Sequence, residues 1–471
     1  MPTRRPRPTT PLDDRDADDH HGDEAAVRVV AVGPLVPGGG SGAGGAGGGA
    51  RGRAGRRAGR RRHGRLATAL VVGGTALAAG LLFSALVSTV AAYFVRRVLT
   101  PDRLKPDDTE VLSVGPGTVT LRATDETVAR GRFGLRLQGG TSHALLGEVI
   151  RADGPTVTRE LVAVDGPMKV GPARWNPGYH VGEPMSALGL GYEDVVLEGE
   201  VGPLPAWVVP PPAGAPVSDV WAVLVHGRGA TREECLRAVP VLHRMGVPSV
   251  VPSYRNDADA PALPGGRYHL GDTEWADVEH AIRLALRRGA QGVVLVGWSM
   301  GGAIVLQLLS RSRLLHVVRA VVLDAPVISW ADVLDHQARV NRVPVWVARL
   351  GVELLGRKQA DRLFGVEGPV ELDRFDWVAR SNELRHRMLV IHSDDDEFVP
   401  SGPTRRLAQA RPDLITHVAF RGARHCQEWN VDPERWEHVV EDYLRAELGD
   451  LLPPRDPSWT PGTTGGPGRT G

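Results

Sequence analysis

The chain has 471 residues and a formal net charge of +1. That length allows two domains plus tails, and the near-neutral balance gives no global field that would point to nucleic acid. Its only cysteines, Cys235 and Cys426, exclude a disulfide framework and a cysteine-rich metal site.

Residues 1–65 are rich in Gly, Arg, Asp and Pro and poor in apolar side chains. Such a composition cannot bury enough surface to offset ordering entropy, so a disordered tail is expected, and residues 452–471 read the same way. Arg51, Arg53, Arg56, Arg57, Arg60, Arg61, Arg62 and Arg65 form a basic run directly ahead of an apolar segment, Leu66 to Val95, that holds no charged residue. A bilayer core needs about 20 apolar residues as helix, so residues 66–95 are expected to be a single transmembrane helix. The apolar core of a cleaved signal peptide is shorter, about 7–15 residues, although Val90-Ala91-Ala92 could serve as a cleavage site. Arginines dominate the N-terminal flank against Arg96 and Arg97 behind, so the positive-inside rule puts the tail in the cytoplasm and the remainder outside the cell membrane.

Residues 105–190 carry short β-prone runs: Thr118–Leu121, Phe133–Leu137, Ala144–Ile150 and Leu161–Val164. Most are separated by glycine-containing stretches, which predicts a small β-rich unit. Tyr192–Val209 reads as a hairpin, after which strands alternate with helices over residues 191–450. That alternation predicts a mostly parallel sheet covered on both faces. Thr231 and Glu234 form a capping box. Trp275, Val278, Ile282 and Ala285 make one helical face ended by Gly289, and Asp432-Pro433 caps the last helix.

The chemistry concentrates in Gly297-Trp298-Ser299-Met300-Gly301, between the apolar run Val293–Val296 and the helix-like Gly302–Leu309. Strand, sharp turn and helix are the setting in which G-x-S-x-G presents a nucleophile. A serine hydroxyl needs a histidine base, itself held in one tautomer by a carboxylate. His425 lies on a loop just past the strand-like Thr416–Phe420, where an imidazole could reach the serine. The strand-like Met388–His392 runs into four acids, Asp394 to Glu397, and Asp324 ends another strand, so the acid has several candidates. The oxyanion hole needs backbone N–H groups. One comes from Met300, the residue after the nucleophile. The other comes from the loop His226-Gly227-Arg228-Gly229 behind the strand Trp221–Val225, with Arg228 favoured over its two glycine neighbours.

With these residues, positions from about 190 to 450 resemble an α/β-hydrolase, and within that superfamily the membrane-anchored serine hydrolases known as α/β-hydrolase-domain proteins. Tyr254-Arg255-Asn256 and Leu270-Gly271-Asp272-Thr273-Glu274-Trp275 match that group loosely. The resemblance selects Asp396, because His392 to Val399-Pro400 fits the family pattern H-G-x-x-D-x-x-V-P with Ser393 in place of glycine. It implies a Ser299–Asp396–His425 triad cleaving a small-molecule or lipid ester or thioester through an acyl-serine, with no metal or organic cofactor. It also implies a lid at 327–384, the insertion after the sixth strand. The rival readings are a serine peptidase on the same fold and a non-catalytic envelope scaffold. The sequence has no propeller-like repeat for the first, and an intact triad argues against the second.

Overall fold

The computed structural model describes Leu82, residues 84–101 and residues 106–454. The expected tail at 1–65, most of 66–81 and nearly all of the C-terminal tail lie outside the described residues. Leu452, placed in that tail from the sequence, is instead buried against the core.

A first helix, α1 (residues 84–99), corrects the expected end of the apolar segment. Ala91, Phe94, Val95 and Leu99 are buried, and the last three belong to the core of the large sheet described below, whereas Leu82, Leu86 and Tyr93 face outward. Gly351 makes room for α1, since a Cβ there would meet Val95 at 2.6 Å. Among the described residues no helix is long and apolar enough to cross a membrane.

The β-rich region is a closed six-stranded barrel: β1 (Thr109–Gly115), β2 (Thr118–Arg122), β3 (Phe133–Leu137), β4 (Ser142–Asp153), β5 (Thr156–Asp165) and β6 (Gly171–Asn176). Around the barrel the order is β1-β2-β5-β4-β3-β6, so no edge is left exposed. Alternate residues fill its interior, among them Val119, Leu121, Phe133, Leu135, Leu146 and Trp175. Arg159 is also fully buried. Its guanidinium donates to the carbonyls of Thr127, Ala129, Gly131 and Gly147, and burial lowers its pKa to about 10.

After a short helix, α2 (Pro184–Leu188), comes the expected hairpin, β7 (Glu193–Gly199) and β8 (Gly202–Val209), antiparallel as read. It opens an eight-stranded sheet of order β14-β13-β12-β11-β9-β10-β8-β7. The central strands β9 (Val220–Val225), β11 (Gly292–Trp298), β12 (Val318–Asp324) and β13 (Met388–Ser393) pair in parallel and are almost wholly buried. Buried on both faces, they read as unbroken apolar runs rather than alternations. Strand β10 (Ser249–Pro252) and β14 (Ile415–Phe420) complete it. Helices α3 (Val239–Arg244), α4 (Glu274–Arg287), α5 (Met300–Arg311) and α9 (Gly402–Ala410) connect the strands. Helix α10 (Glu428–Val431) and α11 (Pro433–Leu448) end the fold, and the Asp432 side chain accepts from the Arg435 N–H as its cap.

The insertion holds α6 (Trp330–Val340), α7 (Val345–Leu355) and α8 (Ala360–Phe364). This is the stretch in which a lid was expected. Helix α7 packs under α1, while His336 and Gln337 of α6 bond the carbonyls of Glu397 and Phe398. Through these bonds the insertion braces the loop after β13.

Candidate active site

Ser299 sits between β11 and α5 with φ 51° and ψ −115°. That left-handed backbone is strained for a residue with a Cβ and persists only where the surroundings over-determine it. They do so here. The Ser299 N–H donates to the Asp324 carbonyl at 3.0 Å, and the Ser299 carbonyl accepts from Gly302 and Val327. A Cβ on Gly297 would stand 2.7 Å from the Gly301 carbonyl oxygen, and one on Gly301 would run into the Val225 carbonyl. The two glycines of the motif are required by close approach.

The elbow aims the Ser299 hydroxyl at His425, whose Nε2 lies 2.8 Å from Oγ. His425 follows β14, as the sequence indicated, and its Nδ1 lies 2.7 Å from Asp396 Oδ2. Asp396 is buried. Its Oδ1 accepts the N–H groups of Phe398 and Val399, both at 2.8 Å, and His392 Nε2 stands 3.3 Å from Oδ2. Burial alone would raise the Asp396 pKa, but the charge of His425 and hydrogen bonds from His392 and His425 outweigh it and hold the carboxyl well below its usual range. Burial likewise presses the His425 pKa down, and the Asp396 carboxylate reverses this, leaving it raised.

The competing acids have other partners. Asp394 pairs with Arg405, Asp395 accepts from the Gly422 N–H, and Glu397 pairs with Arg424. Asp324 accepts from the Trp436 indole and faces Glu428 on the far side of the elbow. Burial and the adjacent Asp324 carboxyl hold the Glu428 pKa well above the carboxylate range.

Two N–H sites were expected for the oxyanion hole. Met300 opens α5, where the first N–H groups of a helix have no intrahelical acceptor. In the loop after β9, which runs through Gly227 and Gly229, the Gly227 N–H donates to Glu234 Oε2 at 2.6 Å. Arg228 lies between them; its side chain donates to the Thr100 carbonyl at 3.0 Å. His226 is structural: Nε2 bonds Asp257 at 2.9 Å and the ring stacks on Tyr254 with centroids 4.3 Å apart.

Sequence reasoning missed Glu234. The pattern Thr231–Glu234 reads as a capping box, but Arg232–Arg237 is a 3-10 helix and Thr231 makes no side-chain cap bond. The Glu234 carboxylate turns instead to the loop that faces Ser299. His392 was seen only as a pattern letter. Its Nδ1 lies 2.8 Å from the Thr404 hydroxyl, and its other nitrogen steadies Asp396.

A cavity of about 420 Å³ opens on Ser299 and His425, within the range of small-molecule sites. Arg228, Glu233 and Glu234 line it from the hydrolase side, and Arg136, Arg174 and Trp175 from the barrel. No residue of the 327–384 insertion lines it.

Two stretches match known sequence families: residues 110–176 a domain of unknown function (DUF8805), and residues 222–345 the alpha/beta hydrolase fold. No curated protein matches the chain. Among solved structures, the esterase Pf2001 of Pyrococcus furiosus is 17% identical, covering 57% of this chain and 96% of its own with a TM-score of 0.45. XC6422 of Xanthomonas campestris, described as an a/b serine hydrolase without lid, is 17% identical over 56% of this chain and 96% of its own, TM-score 0.37. Est1E of Butyrivibrio proteoclasticus, solved with ferulic acid bound, is 13% identical over 54% of this chain and 99% of its own, TM-score 0.39.

Proposed function

We propose that the protein is a serine hydrolase that cleaves carboxylic esters through an acyl-serine intermediate. The observation that carries this reading is the hydrogen-bonded line from Asp396 through His425 to Ser299, with contacts of 2.7 and 2.8 Å. In the reaction His425 Nε2 takes the Ser299 proton as Oγ bonds the ester carbonyl carbon. Negative charge moves onto the carbonyl oxygen, which the N–H groups of Met300 and Arg228 stabilise. Support for Arg228 over Gly227 is that the Gly227 N–H donates to Glu234. His425 then gives its proton to the leaving alcohol. Water, deprotonated by the same nitrogen, attacks the acyl-serine and releases the acid. Asp396 stays ionised throughout and stabilises the imidazolium.

The test is hydrolysis of 4-nitrophenyl esters of graded acyl length by the full-length protein and its Ser299→Ala variant. Turnover by the first and none by the second supports the reading; equal turnover refutes it.

The hydrolase is also tethered to the cell membrane, on its outer side, through the segment that leads into α1 and includes its first turns. Residues 66–90 still give 25 uncharged positions after the docked turns are removed, longer than the roughly 20 a bilayer core requires. The basic run ahead of them supports the orientation. Protease added to intact cells is expected to digest the hydrolase and spare an N-terminal tag; digestion of the tag alone would reverse the topology.

A further inference from the structure

A second cavity, of about 330 Å³, lies between the barrel and the segment that joins it to the large sheet. Leu145 of β4 and Ala163 and Val164 of β5 line it from the barrel, and Val181 and Ala187 line it from the joining segment and its helix α2. Leu145 and Ala163 are opposed partners of the β4–β5 pair, while Ala144 and Leu146 on either side of Leu145 point into the barrel. The lining is therefore largely apolar, and the exposed Asp165, 3.7 Å from His143, marks its open side. The reaction cavity differs, because Arg136, Arg174, Glu233 and Glu234 make its walls charged. An apolar chain gains little against such walls and gains most where it leaves water for apolar side chains.

His180 lines both cavities. Its ring is buried, and burial, helped by the nearby Arg237, lowers its pKa to about 3, so the imidazole is neutral. Neither ring nitrogen has a hydrogen-bond partner. Buried polar groups are nearly always hydrogen-bonded, so such an exception asks for a reason. The backbone here is tied down: the His180 N–H donates to the Gly178 carbonyl at 2.8 Å, and the His180 carbonyl accepts from Asn176 Nδ2 at 3.4 Å. Tyr179, just before it, has φ 65°, a left-handed backbone that is strained for a residue with a Cβ. The ring itself is held by packing, with its centroid 4.9 Å from that of Tyr179 and 5.8 Å from that of Trp429. No hydrogen bond breaks when it turns.

We propose that the second cavity is the subsite for the apolar end of the substrate's acyl group, and that His180 is the threshold the chain crosses on its way there from the reacting carbonyl. This rests on the serine hydrolase reading of the reaction cavity. The preferred substrates are then esters of medium-chain acids, whose chains outrun the charged reaction cavity and end between β4, β5 and α2. The unpaired nitrogens of His180 are accounted for, because a ring that turns aside for the chain is not tied by hydrogen bonds.

The experiment compares 4-nitrophenyl octanoate with 4-nitrophenyl butanoate, using the full-length protein. The ratio of kcat/KM, octanoate over butanoate, should exceed one in the wild type, and taking a ratio cancels any change in the fraction of active protein. It should fall at least tenfold in Ala163→Phe, chiefly through KM, because the new ring fills the second cavity. Ala187→Phe fills the same space from the opposite wall and should act alike, which keeps the test available where one of the two variants does not fold. His180→Ala removes the ring at the threshold and should raise the ratio severalfold. Binding of methyl octanoate and methyl butanoate to Ser299→Ala by calorimetry reads the subsite without turnover. Tighter binding of the octanoate, lost in Ser299→Ala/Ala163→Phe, supports the proposal. Equal binding of the two methyl esters, a ratio unmoved by both phenylalanine variants, or a ratio unmoved by His180→Ala overturns it. Failure of the hydrolase reading looks different: neither nitrophenyl ester is turned over, while the calorimetry still decides the subsite.

Discussion

Replacing Asp396 by Asn should remove most of the activity and leave the fold in place. Asp396 Oδ1 accepts two backbone N–H groups, from Phe398 and Val399, while Oδ2 faces His425 Nδ1 at 2.7 Å. An asparagine keeps its carbonyl oxygen toward the two N–H donors, because turning the amide would leave them facing another donor. Its NH₂ then faces His425 Nδ1, which can only accept. The ring is driven to the tautomer that carries its proton on Nε2, and a protonated Nε2 cannot take the Ser299 proton. In other triads this change costs about 10⁴ in kcat, which corresponds to roughly 5.5 kcal/mol at 1.36 kcal/mol per tenfold. The assay is steady-state hydrolysis of a 4-nitrophenyl ester beside a thermal melt. Asp394→Asn and Asp395→Asn, whose carboxylates are exposed, should stay within a few fold of wild type. An Asp396→Asn enzyme within tenfold of wild type, or an equal loss in Asp395→Asn, would refute the reasoning.

The raised His425 pKa places the acid limb of the kcat/KM profile above pH 6.5, since the base must be neutral, and a limb below that value would contradict the Asp396 contact. The Glu428 carboxyl has its folded pKa above its unfolded one, so its contribution is complete at low pH and is lost as pH rises from about 4.5 through the folded value. Glu428→Gln should flatten the fall of Tm over that range. Arg159→Met leaves four carbonyls in the barrel without their donor and should destabilise the protein by about 3 kcal/mol or more in denaturant titration. A chain beginning at residue 106 loses the buried Phe94, Val95 and Leu99, which at about 1.5–3 kcal/mol per side chain amounts to roughly 5–9 kcal/mol of transfer free energy. It should melt well below a chain beginning at residue 84.

What could be read from the sequence was local. The elbow was visible because close packing demands glycine at Gly297 and Gly301 and because apolar runs of strand and helix length flank it. His425 and the acid cluster Asp394–Glu397 were visible because each follows a strand of one parallel sheet, which brings their loops to one edge, and within the cluster it was the resemblance to the family pattern that singled out Asp396. What was hidden depended on how separate pieces dock. Leu66–Val95 reads as one uninterrupted apolar segment, and nothing in its composition tells that Phe94 and Val95 will meet Gly351 of α7. Glu234 satisfies the local rule for a cap, and only the 3-10 geometry sends it to Gly227. Arg136 and Arg174 are ordinary outward residues of two strands until the barrel closes and makes them neighbours on the wall of the site.

The central claim is that Ser299 is a nucleophile activated by His425. A fluorophosphonate probe incubated with the full-length protein, followed by peptide mapping, tests it directly. The account predicts one phosphonylated serine, Ser299, with labelling abolished in His425→Ala as well as in Ser299→Ala. Labelling at another residue, or none in a folded wild-type protein, would contradict it.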